Sequence, residues 1–420
     1  MAKKPASSGQ VFTQTATTPL RDLDRWHQIG EEEARVVYEM TLRNELSGGT
    51  ETVREFENTF REWVGLRHAI SVMNGTSALW SAMYGLKVGP GDEVICPVYT
   101  WICTISAAPM LGAKPVFCDV DPTTMLMDPN DLRKKITRRT KAIIPVHLWG
   151  WVCDLDAIMS ISRETGVPIL EDCSHAHGAT FDGKIVGSIG HVGAWSMQGS
   201  KAVSGGECGV IATDDDEIFD RACMIGQVNR VAGLDLVGET YQKYQPLGLG
   251  VKFRAHPLGV GIANVQMRKL SKLNEGRRKY LTAVEVGLRD IPGLKPIPTT
   301  PKSERGGLYG FPTTFRADEL PGVTRADLIA ALQKHGVPAN DPSGYPLLHR
   351  LPLFRDGFDI FGGGRGALCE GYKGYKEGNF PGAEKIYDTI VFLPMLTDPV
   401  DGAAEEVVRR IRAAVDSLGG

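Results

Sequence analysis

Between residues 69 and 213 the chain alternates short apolar runs with stretches of helical length, and this alternation limits its possible folds more than any other feature. Ala69–Met73, Glu93–Cys96, Pro115–Val120, Ala142–Val146 and Val167–Leu170 read as strands. Ser77–Leu86, 101–110, 129–136 and Leu155–Glu164 read as the helices between them. Gly89-Pro90-Gly91-Asp92 is a turn. Strands joined through helices need crossover connections, which make neighbouring strands parallel and cover the sheet on both faces. The expected fold is therefore α/β, in three layers around a mostly parallel central sheet. Two later runs, Val192–Met197 and Gly209–Thr213, read as a hairpin pair at its end.

A chain of 420 residues is long enough for two domains. Helices are expected over 31–47 and 51–64, separated by Gly48-Gly49, with Val53, Phe56, Phe60 and Val64 on one face. Residues 226–256 are loop-rich, and an amphipathic helix starts near 258 and runs past 280. Beyond it, helices at 325–335 and 404–417 mix with strands, and 355–378 is a glycine-rich surface loop. The expected division is a flexible N-terminal arm (1–20), a large domain (21–281) and a smaller α+β domain (282–420). The polar start, Met1 to Pro19, has no apolar stretch of signal-peptide type. The net charge of −3 and the lack of a basic run argue against a nucleic-acid partner. The most apolar region, Ile102 to Phe117, is broken by Pro109, Gly112 and Pro115, so no membrane span is expected. The eight cysteines form no C-x-x-C pair and no metal-ligand spacing with histidine. They read as buried thiols of a reducing cytoplasm, with no metal.

Chemistry concentrates at two strand ends. The Val167 run leads into Glu171-Asp172-Cys173-Ser174-His175, and the Val192 run leads past Ser196 to Lys201. In an α/β sheet, residues at the carboxyl ends of strands face the ligand crevice. A lysine and a carboxylate delivered there suit pyridoxal 5'-phosphate, which needs an amine for its aldehyde and an acid for its ring nitrogen. Lys201 precedes Ser204-Gly205-Gly206, a turn that allows close backbone approach, and a desolvated lysine has a lowered pKa that favours imine formation. His175 stands where it could touch the ring, although a satisfied structural histidine fits the same pattern. Gly75, Thr76 and Ser77 lie between a strand and a helix, where N–H groups and hydroxyls favour a phosphate; taken alone, Thr and Ser at such a place are more often N-caps than phosphate ligands. Ser196 could add a phosphate hydrogen bond. Trp101 could stack on a pyridine ring, or simply pack in the core.

The order of these parts, a Gly-Thr turn, a strand-end aspartate and a lysine before a glycine-rich turn, matches enzymes of the aspartate-aminotransferase fold type. From about Gly48 to the C-terminus the chain resembles the DegT/DnrJ/EryC1/StrS aminotransferases. The resemblance rests on Val53-Arg54-Glu55-Phe56-Glu57, Asn74-Gly75-Thr76-Ser77-Ala78-Leu79 and Gly89-Pro90-Gly91-Asp92-Glu93-Val94. It continues through Asp119-Val120-Asp121, Pro145-Val146-His147-Leu148-Trp149-Gly150 and Glu171 to Gly178. Ser196 to Lys201, Gly205-Gly206-Glu207 and Asn379 to Glu384 complete it. It implies the three-layer type I fold of pyridoxal-phosphate transferases, with Lys201 as the Schiff-base lysine and Asp172 as the partner of the ring nitrogen. It further implies His175 and Trp101 against the ring, and Gly75, Thr76, Ser77 and Ser196 at the phosphate. Lys252, in Gly250-Val251-Lys252-Phe253-Arg254, falls where the family's loop from a neighbouring subunit completes the phosphate site, often through asparagine. The implied assembly is a homodimer with shared sites. Tyr345 and His349, in Gly344-Tyr345-Pro346-Leu347-Leu348-His349, and Arg254 are expected near the substrate.

The implied reaction is ping-pong amination of a ketone on a nucleotide-linked sugar or a cyclitol. The donor is glutamate or glutamine, and pyridoxamine 5'-phosphate is the aminated form of the cofactor. Two alternatives are a sugar or cyclitol dehydratase of the same fold and a transaminase for a non-sugar carbonyl. The family's deoxysugar dehydratases carry histidine in place of the lysine, so Lys201 favours amination. Met197-Gln198-Gly199-Ser200 and Ala255-His256-Pro257-Leu258 depart from the commonest family forms and suggest a subgroup with its own substrate.

Overall fold

Two sheets joined edge to edge build the centre of the computed structural model, which describes residues 19–230, 236–369 and 371–419. Of the N-terminal arm expected over 1–20, residues 1–18 lie outside this range. The strands are β1 (His68–Val72), β2 (Glu93–Pro97), β3 (Lys114–Cys118), β4 (Thr140–Ile143), β5 (Leu170–Asp172), β6 (Val192–Ser196) and β7 (Gly209–Thr213). One sheet has the order β1-β7-β6-β5 and the other β3-β2-β4. Parallel bridges Ile143–Ile169 and Val146–Asp172 join β4 to β5. Pairing is parallel from β6 to β3, and only β7 runs against its neighbours. The sheet is thus mostly parallel, with the hairpin pair Gly193–Ala212 to Ser196–Gly209 where the alternation ends. Every residue of β2 and of β7 is buried, as expected for strands covered on both faces.

The helices are α1 (Glu31–Leu42), α2 (Glu51–Val64), α3 (Gly75–Gly85), α4 (Cys103–Met110), α5 (Pro129–Lys135), α6 (Leu155–Thr165), α7 (Asp216–Gly226) and α8 (Pro257–Gly287). Local chemistry sets their ends. Asp128 and Asp154 cap α5 and α6 by accepting backbone N–H groups. Gly65 and Gly166 close α2 and α6 in the left-handed region. The helix expected over 31–47 stops at Leu42, because Arg43 leaves helical geometry and Asn44 turns to φ 60°. The expected apolar face of α2 is buried, and Phe60 meets Trp195 of β6 edge-on at 5.0 Å. Fully burying such a side chain contributes about 1.5–3 kcal/mol.

α8 packs on α1 and α2 near its start and on α10 (Ala403–Asp416) near its end. Past α8, a three-stranded antiparallel sheet forms from β8 (Leu294–Pro296), β9 (Phe311–Phe315) and β10 (Ile390–Leu393), with α9 (Arg325–Lys334) and α10 packed together beside it. A continuous apolar core runs from the central sheet through Trp149, Tyr280 and Phe311 into this region. No helix among the described residues is long and apolar enough to cross a membrane.

Candidate active site

A cavity of about 490 Å³ opens at the carboxyl ends of β5 and β6, against the first turns of α3 and α4. Gly75, Thr76, Trp101, Asp172, His175, Ser196, Lys201 and Tyr345 all line it. Two features of the chain set the back wall. Asn74 caps α3 by accepting the Ser77 N–H at 2.9 Å, which leaves Gly75 and Thr76 among the first N–H groups of the helix, without intrahelical acceptors. Gly75 also permits contact with β6, since a Cβ there would lie 2.5 Å from the Ser196 Cβ.

Asp172 ends β5 and is 3 % exposed. Its Oδ2 accepts the Thr104 hydroxyl at 2.8 Å, and Thr104 in turn meets Thr100 at 2.9 Å. Its Oδ1 accepts the Ser174 N–H at 3.1 Å. A buried carboxylate needs such donors. The strand end is braced by the neighbouring Glu171, which accepts the N–H groups of Gly187, Ile189 and Gly190 and lies 3.0 Å from His147 Nε2. Burial alone would raise the Glu171 pKa, but His147 and the backbone donors hold it below the usual value.

Lys201 follows a turn closed by its own N–H to the Gln198 carbonyl at 2.8 Å. Burial lowers its ammonium from the ordinary 10.5 to about 8, while Asp172 works in the opposite sense. Its Nζ lies 3.6 Å from the centre of the Tyr309 ring. Below pH 8 the amine is charged and cannot attack an aldehyde; above it the neutral form dominates. The cofactor-free protein should therefore capture pyridoxal 5'-phosphate at a rate that rises tenfold per pH unit below 8 and levels off above it. A stopped-flow profile that keeps climbing to pH 10 would show an ordinary, solvated lysine.

His175 is buried and neutral: desolvation and the nearby Lys201 push its pKa well below the usual range. Its Nδ1 accepts the Trp149 N–H at 3.2 Å, so the ring carries its proton on Nε2, which faces the Tyr345 hydroxyl at 3.3 Å. The ring stacks on Tyr309 at 4.3 Å. Trp101 is 45 % exposed at the rim, 5.0 Å from the Tyr345 ring.

Three expected residues, Ser77, Arg254 and His349, lie outside the cavity lining, as does Lys252, which is expected at a partner's site. Ser77 is consumed by the cap: its hydroxyl donates to the Asn74 carbonyl at 2.8 Å and accepts the Asn74 N–H at 3.1 Å. Lys252 is exposed and bridges Gln227. Arg254 pairs in backbone register with Val72, and its side chain packs on Gly48. His349 is buried beside Glu384, 3.1 Å away, and Phe380. Tyr309 and Thr104, conversely, line the cavity although the sequence motifs do not include them. For Tyr309 the available signal was Gly306-Gly307 just before an apolar run. A Cβ on Gly306 would lie 2.3 Å from the Ala179 N, and one on Gly307 2.5 Å from the His175 carbonyl. This glycine pair lets the 305–310 segment lie directly on the turn after Asp172.

A model of the DegT/DnrJ/EryC1/StrS aminotransferase family matches residues 27–412. The chain belongs to this family. It is a pyridoxal-phosphate-dependent aminotransferase. The spore coat polysaccharide biosynthesis protein SpsC of Bacillus subtilis is 31% identical over 391 residues, 92% of this chain and 95% of that one. A Streptoalloteichus tenebrarius protein, provisionally assigned as an L-glutamine:3-amino-2,3-dideoxy-scyllo-inosose aminotransferase, is 32% identical over 412 residues, 97% of each chain. The crystal structure of the aminotransferase from Psychrobacter cryohalolentis superposes with a TM-score of 0.81 at 26% identity, covering 95% of this chain and all of that one. The cavity's donor set fits the cofactor: a desolvated amine, a buried carboxylate, and a helix N-terminus flanked by the Thr76 and Ser196 hydroxyls.

Proposed function

We propose that this aminotransferase moves an amino group from glutamate or glutamine to a ketone carbon of a cyclitol or sugar. The observation that carries the reading is the Lys201 amine and the Asp172 carboxylate facing one cavity. When bound, the cofactor supplies an electron sink for the carbon losing its proton. Lys201 Nζ takes that proton as general base and returns it as general acid. Asp172 would hold a positive charge at the ring nitrogen, Gly75, Thr76 and Ser196 would bind the phosphate, and His175 and Trp101 would hold the ring. Tyr345 and Ser174 contribute hydroxyls to the cavity lining, beside the Tyr309 ring. Hydroxyls and aromatic faces together suit a polyol ring, and the names of the polysaccharide-biosynthesis and inosose relatives agree with that class.

A second copy of the chain is expected to complete the site. Leu247, Leu249 and Val251 are exposed just before Lys252, an apolar stretch suited to burial against a partner. The part to residue 281 carries the residues that would hold the cofactor, and the part from 282 contributes Tyr309 and Tyr345 to the cavity wall. The described cysteines are all unpaired, which favours a cytoplasmic setting.

The test is to convert the protein with glutamate or glutamine, remove the donor, and offer keto-sugar nucleotides, inososes and simple ketones. Return of the lysine-linked absorbance with a cyclitol or sugar ketone is the expected result. Return only with aliphatic or aromatic carbonyls would refute the substrate class.

A further inference from the structure

We infer that Tyr309 is a positioning residue whose ring face holds the Lys201 ammonium whenever that amine is not bonded to the cofactor; this rests on the assignment of Lys201 above. The geometry is specific. Nζ stands 3.6 Å from the ring centre, well within the distance at which a cation is attracted to an aromatic face. The ring cannot swing freely. Its other ring contacts are His175, stacked at 4.3 Å and 26°, and Trp149, parallel at 5.7 Å and 5°.

The hydroxyl is held as well, and the direction of its hydrogen bond can be deduced. Gln198 Oε1 accepts the Ser200 N–H at 2.9 Å and the Ser200 hydroxyl at 2.6 Å. The single Ser200 proton is therefore committed to Gln198. Ser200 Oγ can then only accept from the Tyr309 hydroxyl, 3.0 Å away. The chain Tyr309 to Ser200 to Gln198 ties the ring to the same turn that carries Lys201. Amine and ring are thus fixed to one another, although more than a hundred residues separate them in sequence. This also gives the Met197-Gln198-Gly199-Ser200 stretch a physical role: its polar side chains serve Tyr309. In the reaction, the freed Lys201 amine becomes an ammonium when it takes up the proton it is to carry. A ring face stabilises that form and not the neutral one, so Tyr309 favours the loaded proton carrier over loss of the proton to solvent.

The test uses cofactor-free full-length protein, so its outcome does not depend on turnover or on the identity of the substrate. The Lys201 pKa is read by competitive acetylation across pH, with the Lys201 peptide quantified by mass spectrometry. Tyr309→Phe keeps the ring face and should leave the value within about 0.3 of the unaltered protein. Tyr309→Leu should lower it by about one pH unit. Pentafluorophenylalanine at position 309 has the shape of phenylalanine with the ring charge reversed, and should lower it similarly without a packing change. Equal pKa values with phenylalanine and its fluorinated form would overturn the inference even if Tyr309→Leu fails to fold. A Lys201 that stays at its usual position on the pH scale in every variant would overturn it too, whereas loss of the aminotransferase reading would show only in the turnover assays.

Discussion

Replacing Lys201 with alanine should lower turnover by at least about 10⁴-fold and abolish the visible absorbance of the lysine-linked cofactor. The size of the effect follows from the double duty of one atom. Nζ anchors the cofactor and also carries the proton, and the cavity lining contains no other lysine that could take its place. Steady-state assay and absorbance spectra check both parts, and retained activity with a retained chromophore would refute the assignment. The same residue should have the opposite effect on stability. A folded-state pKa of about 8 against an ordinary 10.5 means that folding opposes the charged form. That costs about 3 kcal/mol below pH 8, and the cost fades as the pH rises from 8 to 10.5. In the cofactor-free protein, Lys201→Met should therefore melt higher than the unaltered chain at pH 7 and show little advantage at pH 10.5. A gain that persists unchanged at high pH would point to packing in place of charge.

Asp172→Asn should lower kcat by about 10²–10⁴-fold while leaving the cofactor bound and its absorbance visible. The amide preserves shape and can still accept from the Ser174 N–H, so the loop after β5 should keep its course. What it removes is the negative charge, and with it the reason for a ring nitrogen to stay protonated. The loss should fall on the donor half-reaction, measured as single-turnover decay of the lysine-linked absorbance on adding glutamate. If that decay ran at the unaltered rate, Asp172 would not face the ring nitrogen.

Much of this was readable in the chain because it depends on short-range rules. The alternation of strand and helix, the caps at Asp128 and Asp154, and the turn glycines at 65 and 166 act within a few residues. Strand ends in a parallel sheet share one edge, so the sequence alone places Asp172 and Lys201 at one crevice. Local reading failed where two local roles compete. Ser77 has the residue type for a phosphate contact, yet the cap of α3 uses both of its hydrogen-bonding functions. It failed again for His349, whose motif neighbour Tyr345 reaches the cavity while the histidine turns towards Glu384.

By itself, then, the sequence determined the layered α/β architecture, the order of helices and strands, and the pairing of one amine with one carboxylate at neighbouring strand ends. Only the tertiary structure decided that the Tyr309 ring lies against that amine, that Thr104 donates to Asp172, and that Arg254 and His349 stay out of the cavity wall. The reason is one of range. Backbone dihedrals and hydrogen-bonding needs are settled between near neighbours. A cavity wall, in contrast, is assembled from segments far apart in the chain, and here their approach turns on whether two backbones can touch, as Gly306 and Gly307 allow at the turn after β5.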